Sequence, residues 1–307
     1  MGWTAKDMPD LTGRVAVVSG GNGGLGLETC RALAAHGAHV VMAARNLAKA
    51  EDACRSIRSS VPDAAIEVHE LDLASLASIA SFSTAVRSSH PTINVLFSNA
   101  GVMAVPEGKT ADGFELQFGT NVLGHYALAM GLLPSLLAGA PSRVVFTTSA
   151  TRFFAGKYDL SNPHMHGCYA SWQAYGMSKR ADLQLAFEFD RRLRDRGVFG
   201  FAADPGFSRT GLQSASVRAH PGLSQRFWRV AVVAGGQPAA MGALPQLRAG
   251  TDPAAVGGTM YGPRFFWWGS AAIRGAGRGI VNADQMARLW DICECETGLK
   301  LADVRAE

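Results

Sequence analysis

The stretch Arg14-Val-Ala-Val-Val-Ser19 is apolar along its whole length and runs straight into the glycine-dense turn Gly20 to Gly26, followed by a helical pattern to about His36. A strand apolar on both faces must be covered on both, so this beginning commits the chain to a buried parallel sheet. The pattern recurs. His39 to Ala44 predicts a second buried strand, and Leu47, Ala50, Cys54, Ile57 and Val61 fall on one face of a helix that Asn46 can cap. Further strands are expected near 66–71, 93–98, 144–148 and 198–202, with a short seventh at 258–263. Helical stretches between them predict an α/β fold: one Rossmann-type, doubly wound parallel sheet with helices on both faces. No linker rich in Pro, Ser or Gly divides the chain, so 1–307 is expected to be one dinucleotide-binding domain. The segment 207–245 is expected to form a variable substrate cap within it.

The turn Gly20-Gly-Asn22-Gly-Gly24-Leu25-Gly26 sits between a buried strand and a helix. Glycines there allow a sharp bend and a close approach of backbone to a pyrophosphate, whose charge the free N–H groups of the helix start can meet. A dinucleotide site is expected. NAD sites usually place an acid at the end of the second strand, but here that position reads Ala43-Ala44-Arg45-Asn46. A guanidinium suits a 2′-phosphate, so NADP(H) is favoured over NAD(H).

Composition narrows the partners. With 29 Lys+Arg against 25 Asp+Glu the formal charge is +4, and no run of like charges concentrates it, so nucleic acid is not expected as a partner. Residues 122–142 carry no charge, yet Gly124, Gly131, Pro134, Gly139 and Pro141 interrupt them. A buried helix is expected there rather than a membrane span. Five cysteines and a start without an apolar leader suggest reduced thiols and a cytoplasmic setting. Neither Cys293-Glu-Cys295 nor His164-x-His166-x-Cys168 has the spacing of a structural zinc site, and no metal is expected.

Tyr175-Gly-Met-Ser-Lys179 places a phenol and an ammonium on one face of a helix expected to run to about Arg196 and stop at Gly197. A nearby cation stabilises tyrosinate and draws its pKa toward the working range. Ser149 ends the strand Val144 to Ser149, and Asn121 begins a helix after Gly119-Thr120. All four polar groups are thus expected at the C-terminal edge of the sheet, where open α/β folds bind ligands.

In these motifs the chain resembles the short-chain dehydrogenase/reductase family. The likeness covers the glycine turn, Asp72 and Leu73 after the third strand, Asn99-Ala100-Gly101 after the fourth, then Asn121, Ser149, Tyr175, Lys179, and Pro205-Gly206 with Thr210 after the sixth. Asn-Val-Leu-Gly-His-Tyr at 121–126 is most similar to the retinol dehydrogenase and protochlorophyllide reductase branch. The resemblance implies Tyr175 as acid/base, Lys179 lowering its pKa and holding the nicotinamide ribose, Ser149 bonding the substrate oxygen and Asn121 anchoring a water that leads to Lys179. It also implies a homodimer or homotetramer through the uncharged helix near Asn121 and the Tyr175 helix.

One departure from the commonest family pattern is the long stretch Arg152 to Ala174 between Ser149 and Tyr175, with Phe153, Phe154, Tyr158, Tyr169 and Trp172. It is expected to build one wall of the substrate site. Phe207, Leu212, Phe227, Trp228 and 230–233 are expected to supply the other, and Phe265-Phe-Trp-Trp268 either the pocket mouth or a subunit contact. Such lining suits a bulky hydrophobic alcohol, aldehyde or ketone, making the chain a carbonyl reductase or alcohol dehydrogenase. The alternatives are a conjugated double-bond reductase, with Cys168 as an extra proton donor, and a non-catalytic dinucleotide-binding regulator.

Overall fold

A computed structural model describes residues 2–156, 158–209 and 235–304. Strands β1 (Val15–Ser19), β2 (His39–Ala44), β3 (Ile66–Glu70), β4 (Val95–Ser98), β5 (Ser142–Thr147), β6 (Val198–Ala203), β7 (Thr259–Pro263) and β8 (Ala271–Arg274) form one sheet in the order β3-β2-β1-β4-β5-β6-β7-β8. All neighbours are parallel except β7 and β8. The sheet has one strand more than the sequence suggests, because β8 returns antiparallel from β7 through an aromatic turn.

Alternation along each strand divides the core in two. Val17, Val41, Leu96, Val144 and Phe146 face one layer, and Ala16, Val18, Val40, Met42, Phe97, Val145 and Phe201 face the other. Helices α1 (Gly24–Ala35), α2 (Leu47–Ser60) and, later in the chain, Ala239–Thr251 contribute to the second cluster. The first holds α3 (Leu76–Ser89), then α4 (Leu116–Phe118) running through a π turn, Gly119–Leu123, into α5 (Gly124–Gly131), followed by α6 (Leu133–Ala138) and α7 (Ser171–Leu193). With Ala239–Thr251 as α8, the last helix is α9 (Ala283–Thr297). The Asn46 side chain caps α2 by accepting from Lys49 N at 2.9 Å, as its position suggests.

Helix α7 is held unusually close to the sheet. A Cβ on Gly200 of β6 would lie 2.1 Å from the Ala186 carbonyl oxygen, so only glycine permits this approach. On its other side α9 packs across α7, with the Trp290 ring 4.9 Å from Phe189 and 5.2 Å from Tyr126. Tyr126, Phe189 and Trp290 are fully buried. Helix α9 thus covers this aromatic trio, which joins α5, α7 and α9 within the single chain, and α5 is buried from Gly124 to Met130. Among the described residues no helix is long and apolar enough to cross a membrane.

Candidate active site

The C-terminal ends of β1 and β4 diverge to opposite helices, and their loops meet at Ser19. Its hydroxyl accepts from Asn99 N at 2.9 Å and Ala100 N at 3.0 Å, and Asn99 Nδ2 donates to the Ser19 carbonyl at 2.9 Å. His125 completes the junction. Its Nδ1 lies 2.9 Å from the Asn121 carbonyl, which can only accept, so Nε2 is the lone-pair nitrogen facing Ser19 Oγ at 3.1 Å. Burial, reinforced by the nearby Lys179 charge, pushes the imidazole pKa down to about 3, so the ring is neutral. The sequence motif contains His125 but gives no hint of this bond, whose partners are 106 residues apart.

The glycine turn beside this junction fits a dinucleotide. Gly20 has a φ of +71°, and a Cβ on Gly26 would stand 2.3 Å from the Gly20 carbonyl oxygen, so strand and helix meet closely only with glycine. The N-cap of α1 is Gly23, with no side chain to cap the first N–H groups and open space around it. Asn22 and Leu25 flank it, both half-buried. Arg45 is exposed immediately after β2. Asp72 accepts from Ala74 N at 3.0 Å, and Leu73 beside it is buried.

Asn121 lies in the π turn and ties two loops together. Its Oδ1 accepts from Val102 N at 2.9 Å, while Nδ2 donates to Val102 O and to Ser178 Oγ of α7, each at 3.0 Å. Gly101 is wedged between Asn121 and Lys179: a Cβ there would be 2.9 Å from Asn121 Oδ1 and 3.7 Å from Lys179 Nζ. The Lys179 ammonium lies 6.0 Å from the centre of the Tyr175 ring. Ser149 follows β5 and caps the short turn Ala150–Phe154, accepting from Thr151 N at 3.2 Å, and its hydroxyl favours the tyrosinate form of Tyr175. Asn121, Ser149, Tyr175 and Lys179 thus gather at one edge of the sheet.

Sequence reasoning misses the partner of Lys179. The ammonium donates to Asp182 Oδ2 at 2.7 Å and to the Thr147 carbonyl at 3.0 Å, with Asp182 only 1% exposed. Burial works against the Lys179 charge, but Asp182 and Tyr175 outweigh it and raise its pKa. Burial also raises the Asp182 carboxyl, to about 6, despite the ammonium. For Tyr175 burial raises the pKa first, Lys179 and Ser149 oppose it, and Asp182 adds to the rise. The spacing of three along α7 puts the two residues on one face but does not show that the acid is buried.

The aromatic segments are brought together in part. Trp172 meets the Tyr175 ring edge-on at 6.4 Å, Phe153 stacks on Phe266 at 6.4 Å, and Phe207 meets Trp267 at 6.2 Å. Phe265 to Trp268 is an exposed cluster that bridges the two expected walls. Other residues of 152–174 serve the scaffold instead: Tyr158 donates to Gln184 Oε1 and Tyr169 to the Val105 carbonyl, each at 2.8 Å. Phe154 is 72% exposed. Arg152 is buried against Asp204, whose other oxygen accepts from Gly206 N at 2.9 Å, and Pro205 O accepts from Gln237. Cys168 is bonded within its own loop, to Met165 O and Asn162. Thr210, Leu212, Phe227, Trp228 and 230–233, with most of the expected cap, lie outside the described residues. A separate cavity of about 630 Å³, lined by Arg14, Asn94, Arg143 and Gly257 among others, opens at the opposite edge of the sheet and contains none of these groups.

Residues 14–220 match the short chain dehydrogenase family. The chain belongs to that family. It is 38% identical to a short-chain dehydrogenase/reductase of Armillaria gallica over 96% of this chain and 93% of the relative. Human retinol dehydrogenase 12 is 37% identical over 75% of this chain and 71% of its own. Among solved structures, an uncharacterised protein from Mycobacterium paratuberculosis superposes with a TM-score of 0.80 at 36% identity, covering 98% of this chain and 99% of that one. The fold and the order of motifs are thus those of the short-chain dehydrogenases, an oxidoreductase family.

Proposed function

We propose that this short-chain dehydrogenase is NADP(H)-dependent and interconverts a carbonyl and an alcohol on a bulky hydrophobic substrate. The observation that carries the reading is the convergence of Ser149, Tyr175 and Lys179 at the C-terminal edge of the sheet beside the glycine turn. When bound, the nicotinamide supplies or accepts the hydride. Tyr175 holds the proton at its phenolic oxygen, giving it to the substrate oxygen in reduction and taking it back in oxidation. Lys179 favours the tyrosinate and would hold the nicotinamide ribose, while Ser149 would bond the substrate oxygen. Asn121 fixes the Gly101-Val102 backbone beside Lys179. Trp172 and the Phe153, Phe266, Phe207 and Trp267 group support a lipophilic substrate, as does similarity to a retinol dehydrogenase. A screen for NADPH consumption against hydrophobic aldehydes, ketones and quinones, with product analysis, tests this; a saturated carbon pair in place of an alcohol overturns it.

Two substitutions probe the parts. Arg45→Asp removes the group assigned to the 2′-phosphate, so the kcat/KM ratio of NADPH to NADH should fall roughly 10- to 100-fold, as expected for one charge-assisted bond. An unchanged ratio removes Arg45 from the cofactor reading. Asp182→Asn deletes an anion that opposes tyrosinate. Because the Tyr175 pKa then falls, the acidic limb of alcohol oxidation, where tyrosinate is lost to protonation, should move to lower pH. A limb that stays in place or moves upward contradicts this coupling.

A further inference from the structure

At the far end of the sheet from Tyr175, three imidazoles surround one carboxylate. His39 opens β2, Glu67 and His69 lie two apart on the edge strand β3, and His90 ends α3. His90 Nε2 is 2.7 Å from Glu67 Oε1, His69 Nε2 is 3.1 Å from the same oxygen, and His39 Nε2 is 3.8 Å away. The imidazoles of His39 and His90 are 4.8 Å apart, centre to centre. Their Nε2 atoms and the Glu67 oxygen lie within 4.8 Å of one another. His39 Nε2 is buried without a hydrogen-bond partner, although it faces this group. An orphaned buried nitrogen is a destabilising feature that a bound ligand would relieve.

We propose that His39, Glu67 and His90 form a binding site for a zinc-class divalent cation. Ligand atoms about 2.0–2.1 Å from a tetrahedral ion sit roughly 3.4 Å from one another, and the measured 2.7 and 3.8 Å separations bracket that spacing. To close the set, the widest of the three pairs, no more than 4.8 Å apart, has to draw in toward that spacing. Two imidazoles with one carboxylate select zinc and its transition-metal neighbours over magnesium or calcium, which prefer oxygen alone. A water completes the fourth position. His69 keeps its bond to the Glu67 carboxylate and orients it, as outer partners of metal ligands do. The ion would join β2, β3 and the end of α3, pinning an edge strand that has a neighbour on one side only. The ligands lie far apart in sequence, at 39, 67 and 90, so no motif announces them.

The test titrates zinc sulfate into the tag-free, full-length, metal-stripped chain, following heat and thermal midpoint, and uses cobalt(II) as a visible-band reporter. One equivalent of zinc should bind and raise the midpoint. His39→Gln and His90→Gln should each weaken zinc affinity at least about tenfold, and both should lose the cobalt band. His164→Gln, which alters an imidazole paired elsewhere with Glu296, should leave zinc binding unchanged. Hydride-transfer activity and circular dichroism of the variants should match the parent, which separates lost ligation from lost folding. No saturable binding in the parent overturns the proposal. So does parental affinity in both His39→Gln and His90→Gln, or loss of binding in His164→Gln.

Discussion

Tyr175→Phe is expected to lower kcat for carbonyl reduction about 10²- to 10⁴-fold, the range typical of a lost general acid or base. The substitution removes a single oxygen from a ring that is 6% exposed, so packing against Trp172 and the fold should persist. KM should change little, because binding the hydrophobic body of the substrate does not use the phenol. The pH dependence of the parent should also vanish, since the titrating group is gone. Steady-state kinetics in both directions, with circular dichroism as a folding check, decide the matter. Activity within a few-fold of the parent would show that the proton comes from elsewhere.

Asp204→Ala should be the most destabilising change near the site. Arg152 Nη1 lies 2.5 Å from Asp204 Oδ2, with side chains 2% and 8% exposed. Removing the carboxylate leaves a buried guanidinium whose remaining contacts among the described residues are a long one to the Ala276 carbonyl at 3.5 Å and the Phe153 ring at 4.4 Å. Breaking such a pair costs about 3–5 kcal/mol, a fall in the thermal midpoint on the order of 10 °C for a chain this size. The double variant Arg152→Met with Asp204→Leu should recover most of the loss, because neither charge is then stranded. Thermal unfolding followed by circular dichroism gives the comparison. A single variant as stable as the parent would mean that solvent reaches the guanidinium and the pair holds nothing. Since Arg152 follows Ser149 by three residues and Asp204 precedes Pro205-Gly206, activity should decline along with stability.

The parallel sheet is legible in the sequence because its strands are apolar on both faces, a pattern with few alternative folds. Strand β8 is not. It has four residues, and Ile273 within it is 60% exposed, so neither length nor alternation marks it. The π turn at Gly119–Leu123 is equally silent, and so is the bonding of its Asn121 to Val102 across a long loop. Tyr175, Lys179 and Ser149 can be read as residue types at fixed spacings. Asp182 cannot be read the same way, because an acid on a helix is normally solvated, and only the geometry shows it fully buried beside Lys179. The aromatic walls needed the third dimension too: residues 153 and 207 are linked through 266 and 267.

The Ser19 junction also dictates when this protein is finished. The glycine turn emerges early in synthesis, but Asn99, Ala100 and His125 follow it by about 80 to 106 residues. Gln246, which bonds both Thr29 and Asn99, comes later still. Loop closures of that span precede any reward from the contacts they make. The cradle therefore cannot be completed before Asn99, His125 and Gln246 have all been synthesised and the long loops between them have closed.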